Sequence, residues 1–330
     1  MISITLGGAN STAAEIPRET LSTILETVVP EVYSQTAASS EIALSNTSGS
    51  VEISDVGEGL EDSDVSIQIP SKSIVANSKD GLSYIGASSA DSQQVIQPLD
   101  EGFRILNISK NENSPSEFHY ILNLPDGASA ELNMGTVRVS RGDEILGSIK
   151  EPWAVDASGQ QVETYFTLEG NTLTQHVEIN SSANFPIISD PNWGYVATYA
   201  LTTSHVTSWE RLHNCFNCYF PVAGAPSKWP AFGERLPLKV TQFGIVSNME
   251  CTMNYILTST TYYKWKFLAT KNHIDGLGSN IIFELRKTST GKYQLVVDAW
   301  IVKDFWGGNW IYETLAKSNW QTFADNLNKF

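Results

Sequence analysis

The stretch VETYFTLEGNTLTQHVEI, residues 162–179, alternates apolar and polar side chains on both sides of a short Glu-Gly-Asn turn. Alternation with a period of two is typical of strands with one buried face, and glycine and asparagine are typical of the turn between them. Similar short runs begin near Val65 and are separated by turn residues at 125–127 and 156–159. The pattern predicts an antiparallel β-rich domain over residues 65–192.

The segment before this domain has a different character. Pro17 suits a first helical position, and Ile16, Leu21, Ile24 and Leu25 recur at helical spacing. Residues 34–64 are rich in Ser, Gly, Asp and Glu and contain few large apolar side chains, a composition typical of a flexible linker. Residues 1–64 are therefore interpreted as an N-terminal helix plus a flexible linker.

The segment after this domain, residues 193–330, holds 8 of the 9 tryptophans and all three cysteines. Apolar alternation continues through residues 251–270, 279–287 and 293–304, with a turn predicted at 288–291. The last 22 residues predict a helix, with these apolar positions: Ile311, Leu315, Trp320, Phe323 and Leu327. The fold class is therefore mainly β, and the last domain is α+β with an antiparallel sheet and a C-terminal helix. A helix-grip arrangement around an apolar cavity remains open.

The net charge of −15 is divided unevenly along the chain. Residues 1–190 carry 27 acidic and 8 basic side chains, a net of −19, whereas residues 191–330 carry 9 and 13, a net of +4. The small basic excess has no Lys/Arg clusters, which argues against a nucleic-acid partner. The asymmetry predicts a weak intramolecular contact between the acidic and the basic part.

Several features of the sequence bear on the cellular compartment of the protein. Charged residues make up 17% of the chain, below the ~25% of an ordinary soluble protein, and Ser, Thr, Asn and Gln take their place. No run of about 18 apolar residues is present, so no transmembrane segment is predicted. Residues 1–14 would fit the tail of a signal peptide if translation starts upstream. The chain is therefore expected to be secreted or displayed at the cell surface.

A resemblance supports this expectation. The phrases FHYILNLPDGASAELN, PWAVDASGQQVETYFTLEGNTLTQHVE and FPIISDP resemble, in order and spacing, a domain of secreted actinobacterial proteins that closes on a YPVVADP-like motif. The similarity covers roughly Val65 to Trp193, and Phe185 replaces the usual tyrosine of the motif. The C-terminal part is similar to uncharacterised exported proteins of the same bacteria. The resemblance implies export and a β-rich leader before a variable C-terminal domain, and it implies no reaction.

The motif HNCFNC brings His213, Cys215 and Cys218 within six residues. Cys-x-x-Cys occurs in redox disulfides, zinc sites and structural bridges. A second Cys-x-x-Cys is absent and the flanking sequence is loop-like, so a structural disulfide between Cys215 and Cys218 is predicted, with no metal and no cofactor. Cys251 falls in a predicted strand and is expected to be buried, although a bridge from it to either other cysteine remains open.

The stretch KNHIDGLGSN contains the weak catalytic candidates His273 and Asp275 beside Ser279. A histidine near a carboxylate and a serine is a pattern used in acid–base and nucleophilic chemistry. The stretch lacks the second glycine of a nucleophile elbow and precedes a strand, which favours a tight turn. A secreted hydrolase that uses His273 with Asp275, or His213, is the alternative hypothesis for function.

The tryptophans are the basis of the main hypothesis for the function of the protein. Trp265 between two lysines, and Trp306 and Trp310 around Gly307-Gly308, have the composition of a surface that stacks sugars or sits at a lipid interface. We therefore expect a non-enzymatic binding protein or antagonistic effector. Its target would be a cell envelope, a lipid or a small amphipathic ligand, engaged through the C-terminal domain.

Overall fold

The computed structural model describes residues 17–29, 32, 36, 42–47, 50–55, 65–70, 74–77, 81–85, 91–99, 102–180, 182–194, 196–242, 245–301 and 309–329. These residues are mainly β, with antiparallel sheets, an N-terminal helix and a C-terminal helix, which confirms the predicted fold class. The chain divides into two compact units. The first comprises Met1–Leu99, Phe103–Leu124 and Pro152–Asn192, and the second comprises Asp100–Gly102, Pro125–Glu151 and Trp193–Phe330.

The helices are α1 (Arg18–Val28), α2 (His205–Asn214), α3 (Phe216–Tyr219) and α4 (Asn309–Asn328). The strands in chain order are β1 (Ile42–Thr47), β2 (Ser50–Asp55), β3 (Ser66–Pro70), β4 (Ile74–Asn77), β5 (Ser83–Ile85), β6 (Ser92–Leu99), β7 (Gly102–Ser109), β8 (Glu117–Asn123), β9 (Ala128–Asn133), β10 (Thr136–Arg141), β11 (Glu144–Ile149), β12 (Trp153–Val155), β13 (Thr164–Glu169), β14 (Thr172–Val177), β15 (Ile187–Asp190), β16 (Asn192–Gly194), β17 (Ala197–Leu201), β18 (Arg235–Gln242), β19 (Ile245–Thr258), β20 (Tyr262–Ala269), β21 (Asn280–Lys287) and β22 (Tyr293–Trp300).

The first unit is built on two sets of strands. One is a six-stranded antiparallel sheet of order β1-β2-β3-β8-β14-β13, and the other runs β4-β5-β6-β7 with β15 beside β7 and β12 beside β15. The stretch that predicted the β class forms the β13–β14 hairpin, in which Glu169 lies opposite Thr172. Gly170 in this turn has φ +58°, a backbone conformation that glycine adopts without strain.

The segment interpreted as a flexible linker contains strands β1 and β2. They pair with each other in register, and β2 pairs with β3. Val51 and Ile53 of β2 are fully buried, so two large apolar side chains at alternating positions are enough to fix this strand. The low apolar content of residues 34–64 concealed this short alternation.

A buried ion pair connects strands β7 and β15. Arg104 Nε lies 3.2 Å from Asp190 Oδ2, and both side chains are almost fully buried. Strand β12 pairs with β15, and the Trp153 N–H donates to Asp190 Oδ1 at 3.3 Å. The PWA and SDP phrases therefore meet on neighbouring strands. Burial raises the pKa of Asp190 to about 7, against the opposing charge of Arg104.

The second unit contains a six-stranded antiparallel sheet of order β17-β22-β21-β20-β19-β18. Helices α2 and α3 follow β17, and α4 follows β22. One face of the sheet carries the large apolar side chains, among them Trp265, Phe267 and Phe283. Phe323 and Leu327 of α4 belong to the same core cluster. We call this the inner face. The predicted turn at 288–291 is present, with Gly291 at φ +83°.

The opposite face of this sheet, the outer face, is ionic. Because side chains alternate along a strand, Lys264, Lys266, Glu284 and Asp298 share the face opposite Trp265 and Phe283. Lys264 pairs with Glu284 on the sheet itself, whereas the other partners lie on the β9–β10–β11 meander and just after it. Three ion pairs connect the meander segment to the sheet: Arg138–Glu284 at 2.6 Å, Lys266–Glu151 at 2.9 Å, and Lys150–Asp298.

These ion pairs lie within the second unit, because residues 125–151 and 193–330 both belong to it. The predicted boundaries of 65–192 and 193–330 treat residues 125–151 as part of the leader domain. Residues 125–151 contribute the cations Arg138 and Lys150 and the carboxylate of Glu151 to these ion pairs. The contact with the sheet is therefore not one between a purely acidic segment and a purely basic one.

Candidate functional site

A cavity of about 380 Å³ lies in the second unit. Its walls come from the loop after α3, from strands β18 to β22 with their connections, and from helix α4. The lining residues are Phe220, Pro221, Val222, Ala223, Leu238, Lys239, Val240, Met249, Cys251, Phe267, Ala269, His273, Asp275, Ser279, Asn280, Ile281, Ala299, Trp300, Ile301, Asn319 and Trp320.

The cavity forms where the side chains of the inner face become small. Val297 is a large apolar core residue of β22, whereas Ala299, two positions further along the same face, leaves space. Ala269 lies opposite Cys251 in the same way on β20 and β19. Trp320 of α4 closes the opposite side. The tapering of side-chain size on one face is visible in the sequence, but the sequence does not show which face meets the helix.

One end of the cavity is polar. His273, Asp275 and Ser279 belong to the connection between β20 and β21, and all three line the cavity. Backbone hydrogen bonds from His273 N to Thr270 O and from Gly276 N to His273 O form the turns of this connection. The structure therefore brings the candidates His273 and Asp275 together, in the tight turn that the glycines predicted.

The geometry around His273 defines its protonation state. The backbone N–H of Asp275 donates to His273 Nδ1 at 3.2 Å, so Nδ1 carries no proton. Burial lowers the pKa of His273 to about 4, so the ring is neutral at neutral pH and its proton lies on Nε2. The 3.5 Å distance from Nδ1 to Asp275 Oδ2 is therefore not an ion pair.

The two neighbouring groups that a hydrolase would use as nucleophile are in unreactive states. Ser279 Oγ donates its proton to the carbonyl oxygen of Asp275 at 2.6 Å, so it points its proton away from His273. Burial, reinforced by the charges of Asp275 and Glu250, raises the pKa of the Cys251 thiol to about 12. The thiolate, which is the nucleophilic form, is scarce at neutral pH. The arrangement favours hydrogen bonding to a ligand over nucleophilic attack.

The other catalytic candidate, His213, lies apart from the cavity lining. It is exposed at the end of α2, its Nδ1 donates to the carbonyl oxygen of Trp209 at 3.0 Å, and its ring stacks on Trp229 at 4.4 Å. The neighbouring Cys215 and Cys218 lie at disulfide-bonding distance with Cα atoms 5.3 Å apart, as predicted. The motif is helical rather than loop-like, because α2 and α3 meet at Cys215. Cys251 is a free, buried thiol.

The structure corrects the prediction for Trp265. Its side chain is fully buried and stacks on Phe283 at 5.4 Å, so it cannot form a binding surface. The flanking lysines point to the outer face, where Lys264 pairs with Glu284 at 3.2 Å. Trp306 and the side chain of Trp310 lie outside the described residues. Trp320 of α4, which lines the cavity, was not among the predicted binding residues.

Two further observations concern metal-ligand groups and membrane-spanning helices. Within the described ranges, no group of three or more His, Cys, Asp or Glu side chains is arranged to hold a metal ion. Among the helices in the described part of the chain, none combines the length and apolar character needed to cross a bilayer.

Comparison with known proteins gives only distant likenesses. No family model matches the chain, and no curated protein matches it. The crystal structure of the di-domain ARO/CYC StfQ from the steffimycin biosynthetic pathway is similar with a TM-score of 0.31 and 9% identity, over 77% of this chain and 85% of that chain. The di-domain ARO/CYC BexL from the BE-7585A biosynthetic pathway is similar with a TM-score of 0.28 and 6% identity, over 76% and 88%.

Proposed function

We propose that the second unit binds a small amphipathic molecule in the cavity between the inner face of its sheet and helix α4. The observation that carries this proposal is the cavity itself. Its volume of about 380 Å³ falls in the range of roughly 300–1,000 Å³ that is typical of sites for small organic ligands. Its walls are mainly aliphatic and aromatic, and a few polar groups meet at one end, which is the usual composition of such sites.

Of the targets that the sequence predicted, this proposal keeps the small amphipathic ligand. The prediction of an envelope or lipid surface rested on exposed tryptophans, of which Trp265 is buried, whereas Trp306 and the side chain of Trp310 lie outside the described residues. A small amphipathic ligand instead contacts Trp320 of α4, which borders the cavity. The states of His273, Ser279 and Cys251 described above support binding rather than hydrolysis.

The compartment is part of the same proposal. We propose that the protein works outside the cytoplasm, as a secreted or cell-surface protein. Cys215 and Cys218 at disulfide-bonding distance support this, since such pairs persist in oxidising compartments. An exported binder with a buried free thiol at Cys251 is expected to show one disulfide in a non-reducing mass measurement.

A cavity-filling variant tests the binding proposal. Ala299 is exposed within the cavity on β22, so a phenylalanine there occupies ligand space without displacing core side chains. We expect the native protein to bind the neutral fluorophore N-phenyl-1-naphthylamine with one-to-one stoichiometry and enhanced emission. The Ala299→Phe variant is expected to bind it at least about tenfold more weakly, which corresponds to ~1.4 kcal/mol.

The matched control is Ala231→Phe, which adds the same ring at an exposed position outside the cavity lining. Thermal unfolding of both variants should remain within a few degrees of the native protein, since surface substitutions change stability little. If Ala299→Phe and Ala231→Phe bind the fluorophore as tightly as the native protein, the cavity is not the binding site.

A further inference from the structure

One ion pair of the outer face includes a third side chain. Lys266 Nζ lies 2.9 Å from Glu151 Oε2, and Asn280 Nδ2 donates to the same oxygen at 3.4 Å. Lys266 lies opposite Ile282, and Asn280 lies two positions before Ile282 on the same strand. Lys266 and Asn280 are therefore diagonal neighbours on one face of the sheet. An amine, a side-chain amide and a carboxylate meet at one oxygen atom within the second unit.

Most of this contact is shielded from water. The side chain of Lys266 is 8% exposed, and Asn280 is 9% exposed. On the neighbouring strands Asn280 lies opposite Leu268 and Trp300, which places an apolar residue on each side of the amide. Glu151 is the most accessible of the three groups, because 37% of its side chain is exposed. A charge on Lys266 is therefore costly, whereas a charge on Glu151 can face water.

Two other lysines of the outer face contact carboxylates. Lys264 pairs with Glu284, and Lys150 pairs with Asp298. A carboxylate repels the lone pair of an amine, whereas the carbonyl carbon of an amide accepts that lone pair when a neighbouring group carries the protons. The contact around Lys266 supplies the amide and the proton carrier together.

We propose that Lys266 and Asn280 become joined by a covalent amide bond, with Glu151 as the proton carrier. Glu151 accepts a proton from the ammonium group of Lys266, and the freed lone pair on Nζ forms a bond to Cγ of Asn280. Glu151 then passes a proton from the attacking nitrogen to Nδ2, and the Cγ–Nδ2 bond breaks. Ammonia leaves with the remaining proton as ammonium, so Glu151 ends as the carboxylate it was at the start. The reaction needs no oxidant and no further reactant.

The bond would close one turn of the chain. It would join the end of β20 to the start of β21, and so connect the two ends of the segment that carries His273 and Asp275. Both of these residues line the cavity. The bond would thereby hold one end of the cavity in place. The inference does not depend on the proposed binding function.

Mass spectrometry of the full-length protein tests the inference. The protein is kept folded at neutral pH until its mass no longer changes, and is then denatured and reduced. We expect a loss of about 17 Da relative to the sequence, the mass of one ammonia. Trypsin should leave the bond after Lys266 uncut and release residues 265–271 covalently linked to residues 272–286.

Three variants locate the reacting groups. Lys266→Arg keeps the positive charge beside Glu151 but removes the amine, and Glu151→Gln removes the proton carrier. Both variants should have their full sequence masses and release the two peptides unlinked. The matched control is Lys264→Arg on the same strand and face, which should retain the linked peptides and the loss of about 17 Da.

Several outcomes would overturn the inference. One is a native protein that unfolds cooperatively but shows the full sequence mass and is cut after Lys266. Another is a loss of ammonia confined to residues 272–286, which would indicate ring closure at Asn280 without a cross-link. Linked peptides in the Glu151→Gln variant would also contradict the mechanism. None of these outcomes bears on binding in the cavity, so the proposed function is tested separately.

Discussion

Substitution of Glu284 by glutamine is expected to lower the free energy of unfolding by about 3–5 kcal/mol and the melting temperature of the second unit by roughly 10 °C. The Glu284 side chain is 5% exposed and pairs with Arg138 at 2.6 Å and with Lys264 at 3.2 Å. Removal of its charge leaves two largely buried cations without their counter-charge. Denaturant unfolding followed by tryptophan fluorescence measures the effect.

The matched control is Glu144→Gln on strand β11 of the meander. Glu144 pairs with Arg141 at 3.0 Å, but its side chain is 58% exposed, so its loss should cost less than about 1 kcal/mol. Equal effects of the two substitutions would mean that the outer-face ion pairs are no more important than a surface pair.

The pH dependence gives a second readout of Glu284. Burial raises its pKa, but the charges of Arg138 and Lys264 outweigh burial and hold it below the ordinary value of 4.5. A carboxyl group with a lowered folded-state pKa stabilises the fold above the ordinary value, and this contribution is lost as the pH falls through the folded-state value. The stability difference between native protein and Glu284→Gln should be full at pH 7 and shrink below about pH 4.5.

The second large effect concerns the meander. A chain of residues 193–330 alone is expected not to fold cooperatively, because the outer face loses the partners of Lys266 and Asp298. Ile282 and Val296, which are buried on that face, would also become exposed. Circular dichroism in the near ultraviolet and thermal unfolding distinguish a folded from an unfolded chain.

A joined chain provides the control. Residues 125–151 can be connected to residues 193–330 by a short Gly/Ser linker, since Ile149 lies opposite Trp193 in the antiparallel β11–β16 pair. This chain is expected to unfold cooperatively. If residues 193–330 fold alone with the same melting temperature, the meander is not an integral part of the second unit.

The sequence predicts most of the architecture because alternation and turn residues act locally. The hairpin at residues 162–179, the turn at 288–291 and the C-terminal helix all follow from patterns within about twenty residues. The same local reasoning missed β1 and β2, where the large apolar residues are few. It also missed α2 and α3, whose boundary falls inside the cysteine motif.

The candidate site could be predicted only in part. The turn that carries His273 and Asp275 was identified, but its position at the end of a cavity depends on which face of the sheet meets α4. Trp265 shows the same limit. Its lysine neighbours suggest exposure. The suggestion fails because Lys264 pairs with Glu284 on the neighbouring strand and Lys266 pairs with Glu151, 115 residues away in the chain.

The central claim is that the second unit holds a small amphipathic ligand in its cavity. A crystal structure of the full-length protein grown with N-phenyl-1-naphthylamine tests this most directly. The account predicts density for one molecule between Ala299 and Trp320. A well-ordered cavity that contains only water at a saturating concentration of the fluorophore, with the fluorophore absent or bound elsewhere, would contradict the account.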